Sequence, residues 1–176
     1  MRRALIWLTA SLVFLGGCDS GPAGAGTSAA PASPREGGVS ARHGDADTAF
    51  VRALIPHHQA GIGLASALAE ATPQARTLAS AVIATQQDEV VRMSGWLRAW
   101  GAGQPPSVNP SAPPSAGPDP VRAFIAHQEQ AIKLAQQEQA NGTNPEALAF
   151  ARQIVESRTG QIIELEKISA EQVSPG

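Results

Sequence analysis

Residues 51–65 read Val51-Arg-Ala-Leu-Ile-Pro-His-His-Gln-Ala-Gly-Ile-Gly-Leu-Ala65, and the pattern returns as Val121-Arg-Ala-Phe-Ile-Ala-His-Gln-Glu-Gln-Ala-Ile-Lys-Leu-Ala135. Eight of the fifteen aligned positions are identical. Apolar residues recur at helical spacing, so both stretches are predicted to be amphipathic helices. The first places His57 and His58 along its apolar stripe, where burying a polar side chain costs free energy unless it binds a ligand or forms a hydrogen bond. These histidines are therefore either ligands or hydrogen-bonded core residues.

Capping residues followed by proline mark three of the helix starts, at Thr72-Pro73, Asp119-Pro120 and Asn144-Pro145. Together with the periodicity they predict helices over 47–70, 73–100, 120–140 and 145–170. The last two helices align with the first two at offsets of 70 and 72, as between His57 and His127 or between Thr72 and Asn144. The sequence thus predicts an all-α four-helix bundle made of two duplicated helical hairpins.

The connection between the hairpins, residues 101–117, is rich in Pro, Ser and Gly. It is long enough to cross the end or the length of a bundle, so both an up-down-up-down topology and a long crossover remain open. Pro56 lies inside the first helix and is expected to kink or loosen it just before the histidines.

The N-terminal region resembles an export signal. Met1-Arg-Arg is followed by an apolar run that is too short to span a bilayer, and the run ends at Leu15-Gly-Gly-Cys18. This ending resembles the bacterial lipobox, which implies cleavage before Cys18 and its lipidation. We therefore expect a signal peptide over 1–17, a flexible tether over 18–44 in which His43 is solvated, and a bundle over 45–172. The implied location is the cell envelope, with the domain held on a membrane by a lipid anchor and facing the periplasm or the cell exterior.

Composition excludes some functions. The net charge is −2 and no basic stripe stands out, which argues against nucleic acid as a partner. The sequence shows no phosphate-binding loop, nucleophile–base pair or dinuclear carboxylate set, so we do not expect an enzyme.

The candidate site lies where the first two helices face each other. Counting equal steps from the turn near residue 71 puts His57 opposite Gln86, with Glu89 within one turn and Met93 one turn further on. Imidazole suits Cu(II), Zn and Fe, and thioether favours Cu(I). Bundles build metal sites in this way, from inward side chains on facing helices.

The stretches Ile55-Pro-His-His-Gln59 and Gln86-Gln-Asp-Glu-Val-Val-Arg-Met-Ser-Gly-Trp-Leu97 resemble the DUF305 family of exported, ferritin-like four-helix proteins, some of which are associated with copper. The resemblance implies a transition-metal protein for buffering, storage or tolerance, with copper as Cu(I) or Cu(II). The ligand-type residues that it implies are His57, His58, Glu89 and Met93.

The chain also departs from the family pattern. The family usually has methionine where Leu54 and Leu64 stand, so Met93 is the one methionine beyond Met1. The second hairpin has lost ligand types, because its counterparts of the first hairpin's residues are Gln128, Gln161 and Leu165. We expect one site, built mainly by the first hairpin, with His127 as a possible extra ligand.

A metal-free interpretation remains open beside the metal site. Glu89 is able to form an internal ion pair with Arg158, which lies at the matching depth of the second hairpin. The protein would then be a structural or protein-interaction module of the envelope, whose polar cluster specifies packing alone.

Overall fold

The computed structural model describes residues 39–104 and 117–173, and these form four α-helices. The helices are α1 (Asp45–Ala71), α2 (Arg76–Ala99), α3 (Pro120–Asn141) and α4 (Pro145–Val173). The predicted signal peptide, Cys18 and most of the tether lie outside these residues. Within the two described ranges there is no strand, as predicted, and no helix is long and apolar enough to cross a membrane.

The four helices run up, down, down and up. A short turn makes α1 and α2 antiparallel, and α3 is antiparallel to α1 because Gly61 lies against His127 while Asp47 lies against Glu138. Contacts of Trp96 with Phe150 and of Glu89 with Arg158 make α4 antiparallel to α2 in the same way. Because α2 and α3 are parallel, the end of α2 and the start of α3 lie at opposite ends of the bundle. The connection between them is therefore the long crossover of ferritin-like folds.

The helix ends follow the capping signals with one exception. Asp119 accepts a hydrogen bond from Arg122 N, and Asn144 accepts one from Ala147 N. Thr72 makes no side-chain cap, and Pro73 opens a short 3-10 turn, so α2 begins at Arg76 rather than at residue 73. At the other end of α2, Gly101 has a φ of 65° and Ala102 N bonds back to Leu97 O, which is a Schellman closure. Despite Pro56, α1 is one continuous helix.

Residues 39–43 pack against one end of the bundle, although they belong to the predicted flexible tether. Ser40 O accepts hydrogen bonds from Trp100 Nε1 and Asn144 Nδ2, and Arg42 O accepts a second bond from the same amide. His43 is partly buried and stacks on Trp100 with ring centroids 4.9 Å apart. The expectation of a solvated His43 was wrong, since a tryptophan far along the chain covers it.

Two apolar clusters fill the bundle. One, at the end where α1 begins, includes Phe50, Leu54, Trp96 and Phe150. The other, at the opposite end, includes Leu68, Val82, Phe124 and Leu165. The polar residues that the sequence singles out lie at the level between the two clusters. This polar layer is therefore the place to look for a functional site.

Candidate metal centre

Three histidines from two helices meet in this polar layer. The His57 and His127 rings are stacked, with centroids 3.8 Å apart and planes inclined by 16°. The His58 ring centroid lies 6.2 Å from that of His57. His57 and His58 are consecutive residues, about 100° apart around α1, so His57 lies against α3 while His58 faces α2.

Gly61 makes room for this arrangement. A Cβ atom at this position would lie 2.5 Å from both Gln86 Oε1 and His127 Nε2. The absence of a side chain on α1 therefore lets polar groups of α2 and α3 converge one turn after His57.

Several of the ring nitrogens have no hydrogen-bond partner. Both nitrogens of His57, Nε2 of His127 and Nδ1 of His58 are buried and unpaired, as are the amide atoms of Gln86. Buried polar atoms are normally satisfied, and an unsatisfied group in a native site points to a missing ion or water. Nitrogen lone pairs that are left free inside a bundle are the atoms that a transition metal binds.

Glu89 connects His58 to the second hairpin. Arg158 Nη2 donates to Glu89 Oε2 at 2.5 Å, and His58 Nε2 lies 2.8 Å from the same oxygen. His58 and Arg158 are both 0% exposed. The carboxylate thus lies within ion-pair distance of both groups, and its contact with His58 favours the tautomer with the proton on Nε2 and the lone pair on Nδ1.

Burial holds the histidines neutral. It lowers the pKa of His57 to about 3 and that of His127 to about 4, and the neighbouring histidines and Arg158 add to both shifts. Burial also lowers the pKa of His58, against the opposing pull of Glu89. For Glu89, burial acts to raise the pKa, but His58 and Arg158 outweigh it and the carboxyl stays ionised. Neutral imidazole is the form that binds metal.

The duplication is visible in the contacts. His58 and Glu89 of the first hairpin correspond to Gln128 and Gln161 of the second, where Gln128 Nε2 donates to Gln161 Oε1. A neutral amide pair thus replaces the imidazole–carboxylate pair at the related position. The second hairpin contributes His127 and Arg158 to the layer but builds no second site of its own.

The sequence-predicted residues are only partly brought together. His57, His58, His127 and Glu89 share the polar layer, whereas Met93 is fully buried in the apolar cluster that contains Leu54 and Trp96. Among the residues that the structure describes, no group of three or more His, Cys, Asp or Glu side chains is placed to hold a metal ion. The donor chemistry of the three imidazoles fits a transition metal, but the stacked rings must turn before they face one ion.

A buried pair of carboxyl groups, outside the histidine layer, was missed by the sequence reasoning. Asp47 of α1 accepts hydrogen bonds from Gly44 N, Thr143 N, Thr143 Oγ1 and Asn144 N, at 2.6 to 2.9 Å. Glu138 of α3 is 2% exposed and hydrogen-bonds to Asp47. Burial and the neighbouring Asp47 raise the pKa of Glu138 to about 8. The helical spacing of Glu138 from Phe124, Ala131 and Ala135 is the sequence signal that could have found it.

The fold and the site define a class of protein: a duplicated four-helix bundle with a histidine cluster between its hairpins. The family described as a domain of unknown function, DUF305, matches residues 47–121 and again 118–169. The chain belongs to this family. The two matches fall on the two hairpins, as the internal repeat predicted.

Solved structures share the fold. CopM in its Cu(I)-bound form is 25% identical, with a TM-score of 0.63 over 73% of this chain and 98% of that one. CopM in the apo form is 27% identical, with a TM-score of 0.62 over 74% and 98% of the two chains. A DUF305 fragment from Deinococcus radiodurans is 23% identical, with a TM-score of 0.60 over 71% and 95%. No curated protein sequence matches.

Proposed function

We propose that this protein binds a transition metal, copper foremost, through the imidazoles of His57, His58 and His127, and that it buffers, stores or hands on that metal. Glu89 orients His58 from the far side of its ring. The observation that carries the proposal is the set of unpaired ring nitrogens buried between the hairpins. A structure of CopM, which has the same fold, is of a Cu(I)-bound form.

The carboxylate–imidazole pair supports this role. Histidines that bind metals usually donate their other ring N–H to a carboxylate or carbonyl group, which fixes the ring and raises its basicity. Glu89 is placed to do this for His58, with Oε2 2.8 Å from Nε2. Glu89 is thus a positioning residue, and Met93 contributes to packing.

The proposal extends to where the protein acts. The lipobox-like ending at Cys18 indicates a lipoprotein of the cell envelope, and the segment between the anchor and the bundle would let the domain reach metal or a protein partner. As the sequence leads us to expect, the protein would be a binding protein rather than an enzyme.

Metal titration tests the proposal. Chains carrying Cys18→Ser are titrated with Cu(I), Cu(II) and Zn(II) while thermal unfolding is followed, since the single thiol would otherwise bind metal. At a thousandfold excess over the dissociation constant, binding to the folded state adds about 4 kcal/mol. His57→Gln and His127→Gln should abolish this gain. His43→Gln is the matched control, because it removes the one histidine outside the cluster. A gain that survives in both cluster variants would refute the assignment.

A metal-free envelope module is the second candidate, and the ion pair between Glu89 and Arg158 favours it. A buried guanidinium already supplies the positive charge that the carboxylate requires. Under this alternative no metal stabilises the protein, and the histidine variants merely lower its unfolding temperature.

A further inference from the structure

Arg158 occupies an unusual place for a residue beside a metal site. It is the largest of the fully buried side chains, and its Nη2 is 2.5 Å from Glu89 Oε2. Its Nη1 makes one long hydrogen bond to Ser157 Oγ, at 3.4 Å, and its Nε has no hydrogen-bond partner, so Glu89 is the one anionic group paired with it. The position is Gln86 in the first hairpin, where the related side chain is neutral.

The charges of the layer sum to zero. Arg158 and Glu89 form a buried ion pair, with Nη2 2.5 Å from Oε2, so their charges cancel, and imidazole binds a metal ion in its neutral form. A metal ion entering this layer meets neutral nitrogen donors and no net negative charge. The carboxylate that would otherwise offer its charge to the ion is neutralised by Arg158.

The free-energy cost of burying an ion grows with the square of its charge in a medium of low dielectric constant. Sites for divalent ions commonly offset that cost with an anionic ligand, such as carboxylate or thiolate. A buried site of neutral imidazoles in a layer of zero net charge therefore disfavours a divalent ion far more than a monovalent one.

We infer that Arg158 is a specificity-determining residue, which sets the histidine cluster to favour a monovalent soft cation over a divalent cation. This inference rests on the proposed function. Arg158 would then have a role beyond packing. By pairing with Glu89, Arg158 neutralises the buried carboxylate of the layer, so that this carboxylate is not available to offset the charge of a metal ion.

The test compares two redox-inert ions, Ag(I) as the monovalent probe and Zn(II) as the divalent probe. Dissociation constants are measured by calorimetry at pH 8 in chloride-free buffer, on chains that carry Cys18→Ser. The quantity of interest is the ratio of the Zn(II) constant to the Ag(I) constant. Arg158→Gln, which copies the residue of the first hairpin, should lower this ratio at least tenfold, because Glu89 is then left anionic. Arg158→Lys keeps the charge and should leave the ratio within about threefold of the parent chain.

A second variant keeps the test decisive if Arg158→Gln does not fold. Glu89→Gln leaves Arg158 unpaired and should raise the ratio at least tenfold, the opposite direction. The helical circular dichroism of each variant establishes that it is folded. An unchanged ratio in the folded charge variants would overturn the inference while leaving the proposed function intact. Failure of the parent chain to bind either ion would instead refute the proposed function itself.

Discussion

Glu138 and Asp47 illustrate at the scale of single residues how burial sets protonation. Asp47 receives four hydrogen bonds from the α3–α4 turn and from Gly44, so it remains ionised. Glu138 lies against Asp47, and no N–H group donates to either of its carboxyl oxygens. Other nearby acids are engaged elsewhere, since Glu146 of α4 accepts from Ser40 N. Two carboxyls in contact share one proton most readily, and Glu138 is the one that carries it.

This pairing predicts a loss of stability at alkaline pH. The pKa of Glu138 is raised to about 8 in the folded protein from 4.5, so the folded state holds a proton that the unfolded state has released. The free energy of unfolding therefore falls as pH rises from 4.5 through about 8. Glu138→Gln, which still donates to Asp47, should remove this decline. The free energy of unfolding of the variant minus that of the parent should be about 1 to 3 kcal/mol larger at pH 9 than at pH 7. Urea unfolding at the two pH values measures this difference. Equal pH profiles for the two proteins would contradict the shared-proton account.

At the scale of helices, the start of α4 is more than a local cap. Asn144 is fully buried and accepts from Ala147 N, while its amide donates to Ser40 O and Arg42 O. One side chain thus begins a helix and also holds the entering chain to the bundle. The equivalent cap of α3, Asp119, is exposed and makes a single bond to Arg122 N.

The two caps should differ in their effect on stability. Asp119→Ala should cost about 1 kcal/mol, the usual loss of an exposed N-cap. Asn144→Ala also removes a donor from Ser40 O, which keeps its bond from Trp100, and leaves Arg42 O without one, so it should cost about 2 to 4 kcal/mol. Chemical denaturation of both variants is the measurement. Equal losses would mean that residues 39–43 do not depend on Asn144.

At the scale of the whole molecule, the histidine layer makes the bundle sensitive to acid. The pKa values of His57 and His127 are lowered from 6.5 to about 3 and about 4. Below pH 6.5 the unfolded state therefore binds protons that the folded state does not bind. Stability is fully present above pH 6.5 and is lost as pH falls toward 4. Between pH 7.5 and 5 we expect a loss of about 1 to 2 kcal/mol for each of these two histidines.

Urea unfolding at the two pH values checks this expectation. The double variant His57→Gln, His127→Gln should lose markedly less stability than the parent, while His43→Gln should lose as much. Because Glu138 titrates alike in all three proteins, its contribution cancels in the comparison. A parent chain that is no less stable at pH 5 than the double variant would contradict neutral burial of the histidines.

Much of this molecule follows from the sequence by itself. Apolar periodicity, the capping residues and the internal repeat determine four helices in two related hairpins, because each is a local signal that a few neighbouring residues carry. The same periodicity places His57, His58 and Glu89 on inward faces, since three and four residues return a helix to one side. The resemblance to the DUF305 family rested on these local stretches and is confirmed by the family match.

Only the tertiary structure decided which inward faces meet. The crossover sets α2 parallel to α3, and the packing that accompanies it brings Arg158 to Glu89 and Glu138 to Asp47 across 69 and 91 positions of the chain. Residues 39–43 look like a tether in composition, yet they are held by Trp100 and Asn144. The protonation of each buried group depends on its neighbours in space, because desolvation and charge act through distance rather than through sequence order. For that reason the sequence could name the histidines, while the fold determined which of their nitrogens remain free.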